Sequence, residues 1–134
     1  MAANGQTTGM RGVYLTAAEL CKYNLIVSPT SRSAIGADIL ATDQQCKKSW
    51  SIQVKTNAKT FNFWLIGKKA KDLVSPTHVY VFVNIKNKKS GEEIEYYVVK
   101  SKDVSKLMYY KGDWPHIKRE AIEKYKDNWG LFNK

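Results

Sequence analysis

Two runs of residues decide the fold of this chain: GADILAT at 36–42 and WSIQVKT at 50–56. Both runs are rich in β-branched and aliphatic residues and are bounded by glycine or polar clusters, which is typical of β-strands. The polar segment between them is short enough to close a hairpin. The sequence therefore predicts two neighbouring strands joined by a tight connection.

The predicted hairpin gathers three polar side chains on one face. If the hairpin folds about its midpoint, Asp38 lies opposite Gln53. Gln53 and Lys55 are two residues apart, so both point to one face while Ile52 and Val54 point to the other. Sheet packing alone does not require a carboxylate, an amide and an ammonium on the same side. The alternative is that these three side chains form the solvent-facing side of an edge hairpin.

The length and the N-terminal sequence limit the organisation of the chain. A chain of 134 residues fits one domain. Small polar residues indicate a disordered N-terminal tip at 1–8, which leaves 9–134 as the domain, with a C-terminal helical extension from about residue 101. No run approaches the ~18 apolar residues of a membrane span, and the N-terminal residues lack the layout of a secretory signal. We expect a cytoplasmic protein that makes no membrane contact.

The apolar spacing around the hairpin predicts alternating helices and strands. Helices are predicted at 7–24, 67–73, 102–109 and 116–128, and further strands at 25–28, 78–85 and 95–99. The first helix starts later if Thr16 and Glu19 form a capping box, and 61–66 fits either an extended segment or the start of a helix. The order indicates the α/β (α+β) class, with a mixed central sheet of about five strands flanked by helices.

The charge of the chain indicates a polyanionic partner. The net charge is +10, and such an excess attracts polyanions. Four Trp and eight Tyr are interleaved with Lys and Arg, which favours nucleic acid because aromatic rings stack on bases. Hydroxyls and cations are the usual contacts to a DNA backbone. The candidates here are Ser31, Arg32, Ser33, Lys59, Lys68 and Lys69. The alternative is an ordinary solvated turn and a solvated lysine face.

The polar group of the hairpin suits phosphodiester hydrolysis. That reaction needs an oriented water and compensation of the negative charge that develops on the phosphoryl oxygens, and Mg²⁺ helps with both. Asp38 can supply a carboxylate ligand, and the Gln53 side-chain oxygen or the Val54 carbonyl can supply more. Lys55 can orient the water or meet the developing charge. Asp43, in the predicted hairpin loop, is the alternative acid.

The segments GADIL at 36–40 and SIQVKT at 51–56 resemble the PD-(D/E)xK nuclease superfamily, which has the restriction-endonuclease-like fold. The resemblance covers roughly residues 10–100 and is greatest to branches related to Mrr-type restriction enzymes, in which glutamine replaces the second acid. It implies that Asp38 is a metal ligand, that Gln53 takes the second-acid position and that Lys55 is the catalytic lysine.

The resemblance also implies Mg²⁺ or Mn²⁺ as the cofactor and DNA as the substrate. Many relatives carry a further acid in the first helix, where Glu19 is the candidate in this sequence. Its alternative role is that of a cap or of a surface partner for Lys22.

Three functions are consistent with these residues. The first is a metal-dependent endonuclease acting on DNA. The second is a catalytically weak or inactive nuclease-fold module that binds nucleic acid, which is favoured by the neutral Gln53. The third is a basic protein-interaction module. A domain of this size has no separate DNA-reading unit, so we expect a homodimer or an external partner.

Overall fold

The computed structural model describes residues 5–31, 36–59 and 61–133. Two α-helices and seven strands are seen in these ranges: α1 (Gly5–Cys21), β1 (Ile26–Pro29), β2 (Ile39–Thr42), β3 (Ser49–Asn57), β4 (Phe63–Leu65), β5 (His78–Lys88), β6 (Gly91–Lys100), α2 (Ser101–Leu107) and β7 (His116–Lys118). Short 3-10 helices follow β4 and β7: Lys68–Lys71, Arg119–Tyr125 and Trp129–Asn133. No helix in the described ranges has the length and apolar character needed to cross a membrane.

The main sheet has five strands in the order β1-β2-β3-β5-β6. The first three form an antiparallel meander, β3 pairs with β5 in parallel, and β5 and β6 form an antiparallel hairpin. The first eight residues of β5 are buried, as expected for a central strand covered on both faces. The predicted fold class is thus confirmed, as a mixed five-stranded sheet flanked by helices.

The sheet separates two apolar clusters. Helix α1 covers the face that carries Ile52 and Val54. The opposite face carries Tyr80 and Phe82 and is covered by β4, β7, α2 and the 3-10 helix Lys68–Lys71. Burial alternates along β3, so its partly exposed residues share the second face with Tyr80 and Phe82.

Helix α1 lies unusually close to the end of β3. A Cβ atom at Gly12 would come within 1.7 Å of Thr56 Oγ1, so a side chain at this position would force the helix away from the strand. Thr56 directly follows Lys55 in β3. The glycine contact therefore helps to fix the part of β3 that presents Lys55.

The prediction from sequence was wrong for two segments. Residues 5–8 belong to α1 and not to a disordered tip, while residues 1–4 lie outside the described ranges. The predicted helix at 116–128 is instead β7 followed by a 3-10 helix. The physical reason is the pairing of β7 with β4. It buries Ile117 against Trp64 and gives the backbone N–H and C=O groups of both strands hydrogen-bond partners. The helical extension predicted from about residue 101 thus begins with α2 but continues as a strand and 3-10 turns.

Candidate active site

Backbone hydrogen bonds to two neighbouring segments of the chain hold Asp38 in place. Its N–H donates to the Ile52 carbonyl at 2.8 Å, and its carbonyl accepts from the Thr30 N–H at 2.8 Å. Just before it, Gly36 has a φ of +81°, and a Cβ atom there would lie 2.8 Å from Leu73. Only glycine adopts this turn without strain. Asp38 is therefore fixed by the sheet at the entry to β2, with 6% of its surface exposed.

The Asp38 carboxylate bridges to β3. Oδ2 accepts from the Gln53 side-chain amide at 3.0 Å and from the Val54 N–H at 2.9 Å. The ladder between β2 and β3 ends at the pair Ile39–Ile52, so the Val54 N–H lies beyond the last paired residue of β2. A side-chain oxygen takes the place of a backbone acceptor there. The structure thus brings Asp38 and Gln53 together, as the hairpin register predicts.

Lys55 follows on the same strand and the same face. It is partly buried, two residues beyond Gln53, and its neighbours Val54 and Thr56 alternate with it along the pleat. The face therefore presents a carboxylate, an amide and an ammonium in a short row. The ammonium and the amide can contact a phosphodiester through charge and a hydrogen bond, whereas the carboxylate can face it only across a cation.

The two alternative acids lie elsewhere. Glu19 pairs with Lys22 at 3.1 Å on α1, which packs against the face of the sheet opposite to Gln53. Asp43 lies in the loop between β2 and β3, where its Oδ1 accepts from the Lys47 N–H at 2.8 Å. The structure does not bring either carboxylate to the row on β3.

Four of the six predicted DNA contacts are exposed at the surface: Ser31, Lys59, Lys68 and Lys69. The other two, Arg32 and Ser33, lie outside the described residues. Lys68 and Lys69 belong to the 3-10 helix Lys68–Lys71, whose Ala70 packs in the cluster with Tyr80. That cluster covers the face that carries Gln53, so these two lysines lie in the layer beside the row.

The row supplies only a few of the ligands that a divalent cation takes. Within 5–31, 36–59 and 61–133, no group of three or more His, Cys, Asp or Glu side chains is placed to hold an ion. The row offers the Asp38 carboxylate and the side-chain oxygen of Gln53. The Gln53 nitrogen, and not this oxygen, bonds Asp38. Mg²⁺ usually takes one or two carboxylates and completes its shell with water and substrate phosphate. These residues fit such an ion, with most of its ligands coming from outside the protein.

The fold has a solved counterpart. The structure of a bacterial homing endonuclease, I-Ssp6803I, matches this chain with a TM-score of 0.58 and 13% sequence identity, over 97% of this chain and 91% of that chain. No family model matches the sequence, and none of the curated proteins matches it. The chain has a nuclease-like fold.

A histidine beside the row was missed by the sequence analysis. The parallel pairing of β3 and β5 sets His78 next to Ser51, and the Ser51 Oγ lies 2.8 Å from His78 Nδ1. His78 is 4% exposed and its ring meets Tyr80 edge to face. Ser51 lies on the same face of β3 as Gln53, two residues before it. Nothing in the local sequence indicates this neighbour, because the two strands are 27 residues apart at the pair.

The buried histidine makes folding sensitive to pH. Burial lowers the pKa of His78 below its ordinary value of about 6.5, and a backbone hydrogen bond with Ser51 opposes the shift. The unfolded chain then binds the proton more readily than the fold does. We expect the free energy of unfolding to fall as pH drops below about 6.5, by at most about 1.4 kcal/mol per pH unit. Urea titrations from pH 7.5 to 5.5 measure this slope.

The same titrations with a variant assign the slope. His78→Gln should flatten the pH dependence of the unfolding free energy over this range, because it removes the buried imidazole. Equal slopes for the wild type and His78→Gln would show that another group is responsible.

Proposed function

We propose that this protein is a metal-dependent endonuclease that hydrolyses phosphodiester bonds in DNA. The observation that carries the proposal is the carboxylate of Asp38, bonded at 3.0 Å to Gln53 and at 2.9 Å to the Val54 N–H, beside Lys55 on the same face. A fold shared with a homing endonuclease supports it. So does the resemblance of these residues to the PD-(D/E)xK nucleases, in the variant with glutamine at the second-acid position.

Each residue of the row then has a distinct role. Asp38 would hold Mg²⁺ or Mn²⁺, and the Gln53 side-chain oxygen and the Val54 carbonyl would add neutral ligands. Such an ion would supply a water of lowered pKa and would offset the charge on the phosphoryl group. Lys55 would orient the attacking water or stabilise the negative charge of the transition state.

Surface lysines hold the DNA. Lys68 and Lys69 are exposed in the layer beside the row, Lys59 is exposed just after β3, and the chain carries a net charge of +10. Phosphate contacts of this kind position the duplex without reading its sequence. Each lost contact should reduce the steepness of the salt dependence of binding by about one unit of log Kd per log salt. The segment of Ser31, with Arg32 and Ser33, completes the proposed set.

A second function is favoured by one specific observation. The row contains one carboxylate, and a neutral amide binds Mg²⁺ less well than an acid. A nuclease-fold module that binds DNA without cutting it would not need a second carboxylate. Salt-sensitive binding with no turnover in any divalent cation would identify that function.

Lys55→Met tests the proposed activity most directly. We expect the rate of plasmid or duplex cleavage in Mg²⁺ or Mn²⁺ to fall at least about 100-fold, because a charge aimed at the transition state is lost. The affinity for DNA should change only a few-fold, since one of many cations is removed. The measurements are single-turnover cleavage and equilibrium binding on the same substrate.

The matched control is Lys22→Met, on α1 at the opposite face of the sheet. It removes the same charge and an exposed ion pair of little energetic weight, so cleavage should stay at the wild-type rate. Wild-type cleavage by Lys55→Met, with the fold intact, would remove Lys55 from the mechanism.

A further inference from the structure

A second surface of the chain carries aromatic side chains that the proposed chemistry does not use. It is a groove of about 990 Å³ on the outer side of β4 and β7, and we call it the aromatic groove. Its apolar lining consists of Phe63, Leu65, Tyr109, Trp114 and His116. Trp114 is 72% exposed, Tyr109 55% and Leu65 51%. A contiguous exposed apolar surface of this kind usually marks a site of interaction.

The inward packing of the small sheet fixes the outward direction of these side chains. β4 and β7 pair with Trp64 opposite Ile117 and with Leu65 opposite His116. Trp64 and Ile117 are buried in the core, so Leu65 and His116 must point outward. Tyr109 extends the pairing through two backbone hydrogen bonds with His116, at 2.8 and 2.9 Å. One wall of the groove is therefore regular structure, and Trp114 lies in the connection just before β7.

The backbone of the exposed Trp114 is bonded to His116. The His116 ring lies between Phe63 at 5.7 Å and Tyr109 at 5.3 Å, and its Nδ1 donates to the carbonyl of Trp114 at 2.9 Å. Gly112, with a φ of +86°, turns the chain just before it. The bond to His116 fixes the backbone at Trp114 and leaves its large ring exposed, and an exposed tryptophan is a frequent interface hot spot.

The charges around the aromatic groove identify the partner. Its charged lining residues are three basic and three acidic: Lys111, Lys118, Arg119, Asp113, Glu120 and Glu123. This lining is neutral although the whole chain carries +10. A DNA contact is expected to be basic, whereas a patch with both signs can complement a second copy of itself. Two copies of a basic chain also repel each other least through a neutral face.

We propose that the aromatic groove is the contact surface between two copies of this chain, related by two-fold symmetry, with Trp114 as its anchor. The dimer would carry two Asp38 rows. The contact itself needs neither DNA nor a metal ion. It can therefore hold or fail independently of the proposed nuclease activity.

Analytical ultracentrifugation of the full chain in EDTA, without DNA, tests the contact. We expect the wild type to sediment at twice the mass of one chain at tens of micromolar. Trp114→Glu should weaken the dimer at least about 30-fold, because a hot-spot side chain is lost and a charge is placed in the contact. Tyr14→Glu is the matched control, because Tyr14 is an aromatic residue 59% exposed on α1, and it should leave the dimer unchanged.

Leu65→Lys, at the centre of the groove, gives a second disruption at a position whose side chain is half exposed. Circular dichroism shows whether each variant keeps its fold. A wild type that stays monomeric to 100 µM would overturn the proposal. So would folded Trp114→Glu and Leu65→Lys variants that dimerise as tightly as the wild type. A monomeric wild type whose DNA affinity falls in Trp114→Glu would assign the groove to nucleic acid and would also overturn it.

Discussion

Asp38→Asn is expected to lower the rate of divalent-dependent DNA cleavage at least about 100-fold while the protein stays folded. The substitution removes the negative charge of the row and keeps the shape of the side chain. Its amide oxygen can still accept the Val54 N–H, which Asp38 accepts at 2.9 Å. A neutral amide in place of the carboxylate lowers the affinity for a divalent cation. Cleavage is therefore lost because the metal ligand is missing. Single-turnover cleavage at saturating DNA measures the effect.

The two roles of Asp38 can be separated. The carboxylate accepts the Val54 N–H at the end of the ladder between β2 and β3, and it is also the proposed ligand. Asp38→Ala removes both, and the uncovered Val54 N–H should cost about 1–3 kcal/mol of unfolding free energy. Asp38→Asn should cost less than Asp38→Ala in urea denaturation but lose as much cleavage. Loss of cleavage in proportion to loss of stability would instead make Asp38 a structural residue.

Asp43→Asn is the matched control for the acid. Asp43 caps the turn between β2 and β3 through the Lys47 N–H, away from the row. The variant should lose about 1 kcal/mol of unfolding free energy at most and cleave at the wild-type rate. If Asp43→Asn lost cleavage and Asp38→Asn kept it, the assignment of the acid would be reversed.

The part of the site that the sequence predicted depends on local geometry. Asp38 and Gln53 are close because a hairpin with a short connection leaves few registers, and each register fixes which side chains share a face. The alternation of Ile52, Gln53, Val54 and Lys55 then follows from the pleat alone. The two-residue alternation of side chains along a strand and one short connection were enough to predict how these two strands pair.

The parts that were missed depend on contacts distant in sequence. The strand at 116–118 exists because β4, about fifty residues earlier, offers an edge to pair with. Its apolar spacing suits a helix equally well, so periodicity could not decide between them. His78 was likewise predicted in a strand, but its position beside Ser51 depends on parallel pairing across the whole connection. Propensity and spacing carry no information on such pairings.

Gln53→Glu is expected to convert a weak metal site into a strong one. The new carboxylate would stand at the position of the amide, 3.0 Å from Asp38 Oδ2. Two acids at this distance hold a divalent cation far better than an acid and an amide, and the added attraction should tighten Mg²⁺ and Mn²⁺ binding by about 10–100-fold. Isothermal titration without DNA measures this affinity separately from cleavage.

The same charge should destabilise the protein when no ion is present. The introduced carboxylate cannot donate to Asp38 as the Gln53 amide does, and two like charges then face each other in a partly buried place. We expect the metal-free variant to unfold at lower urea than the wild type and to regain stability with Mn²⁺. At one hundred times the dissociation constant the gain is about 2.7 kcal/mol.

Gln44→Glu is the control for this variant, because Gln44 lies in the exposed loop between β2 and β3 and its replacement adds the same charge there. It also removes the hydrogen bond that the Gln44 amide donates to the Asn24 carbonyl at 3.0 Å, so its stability is compared with and without Mn²⁺. Its metal affinity, and the stability that Mn²⁺ adds, should equal those of the wild type. If Gln53→Glu also bound metal no better than the wild type, the amide would not face the ion, and the row could not be the metal site. If it bound tightly and cleaved DNA that the wild type only binds, the single missing charge would account for an inactive native protein.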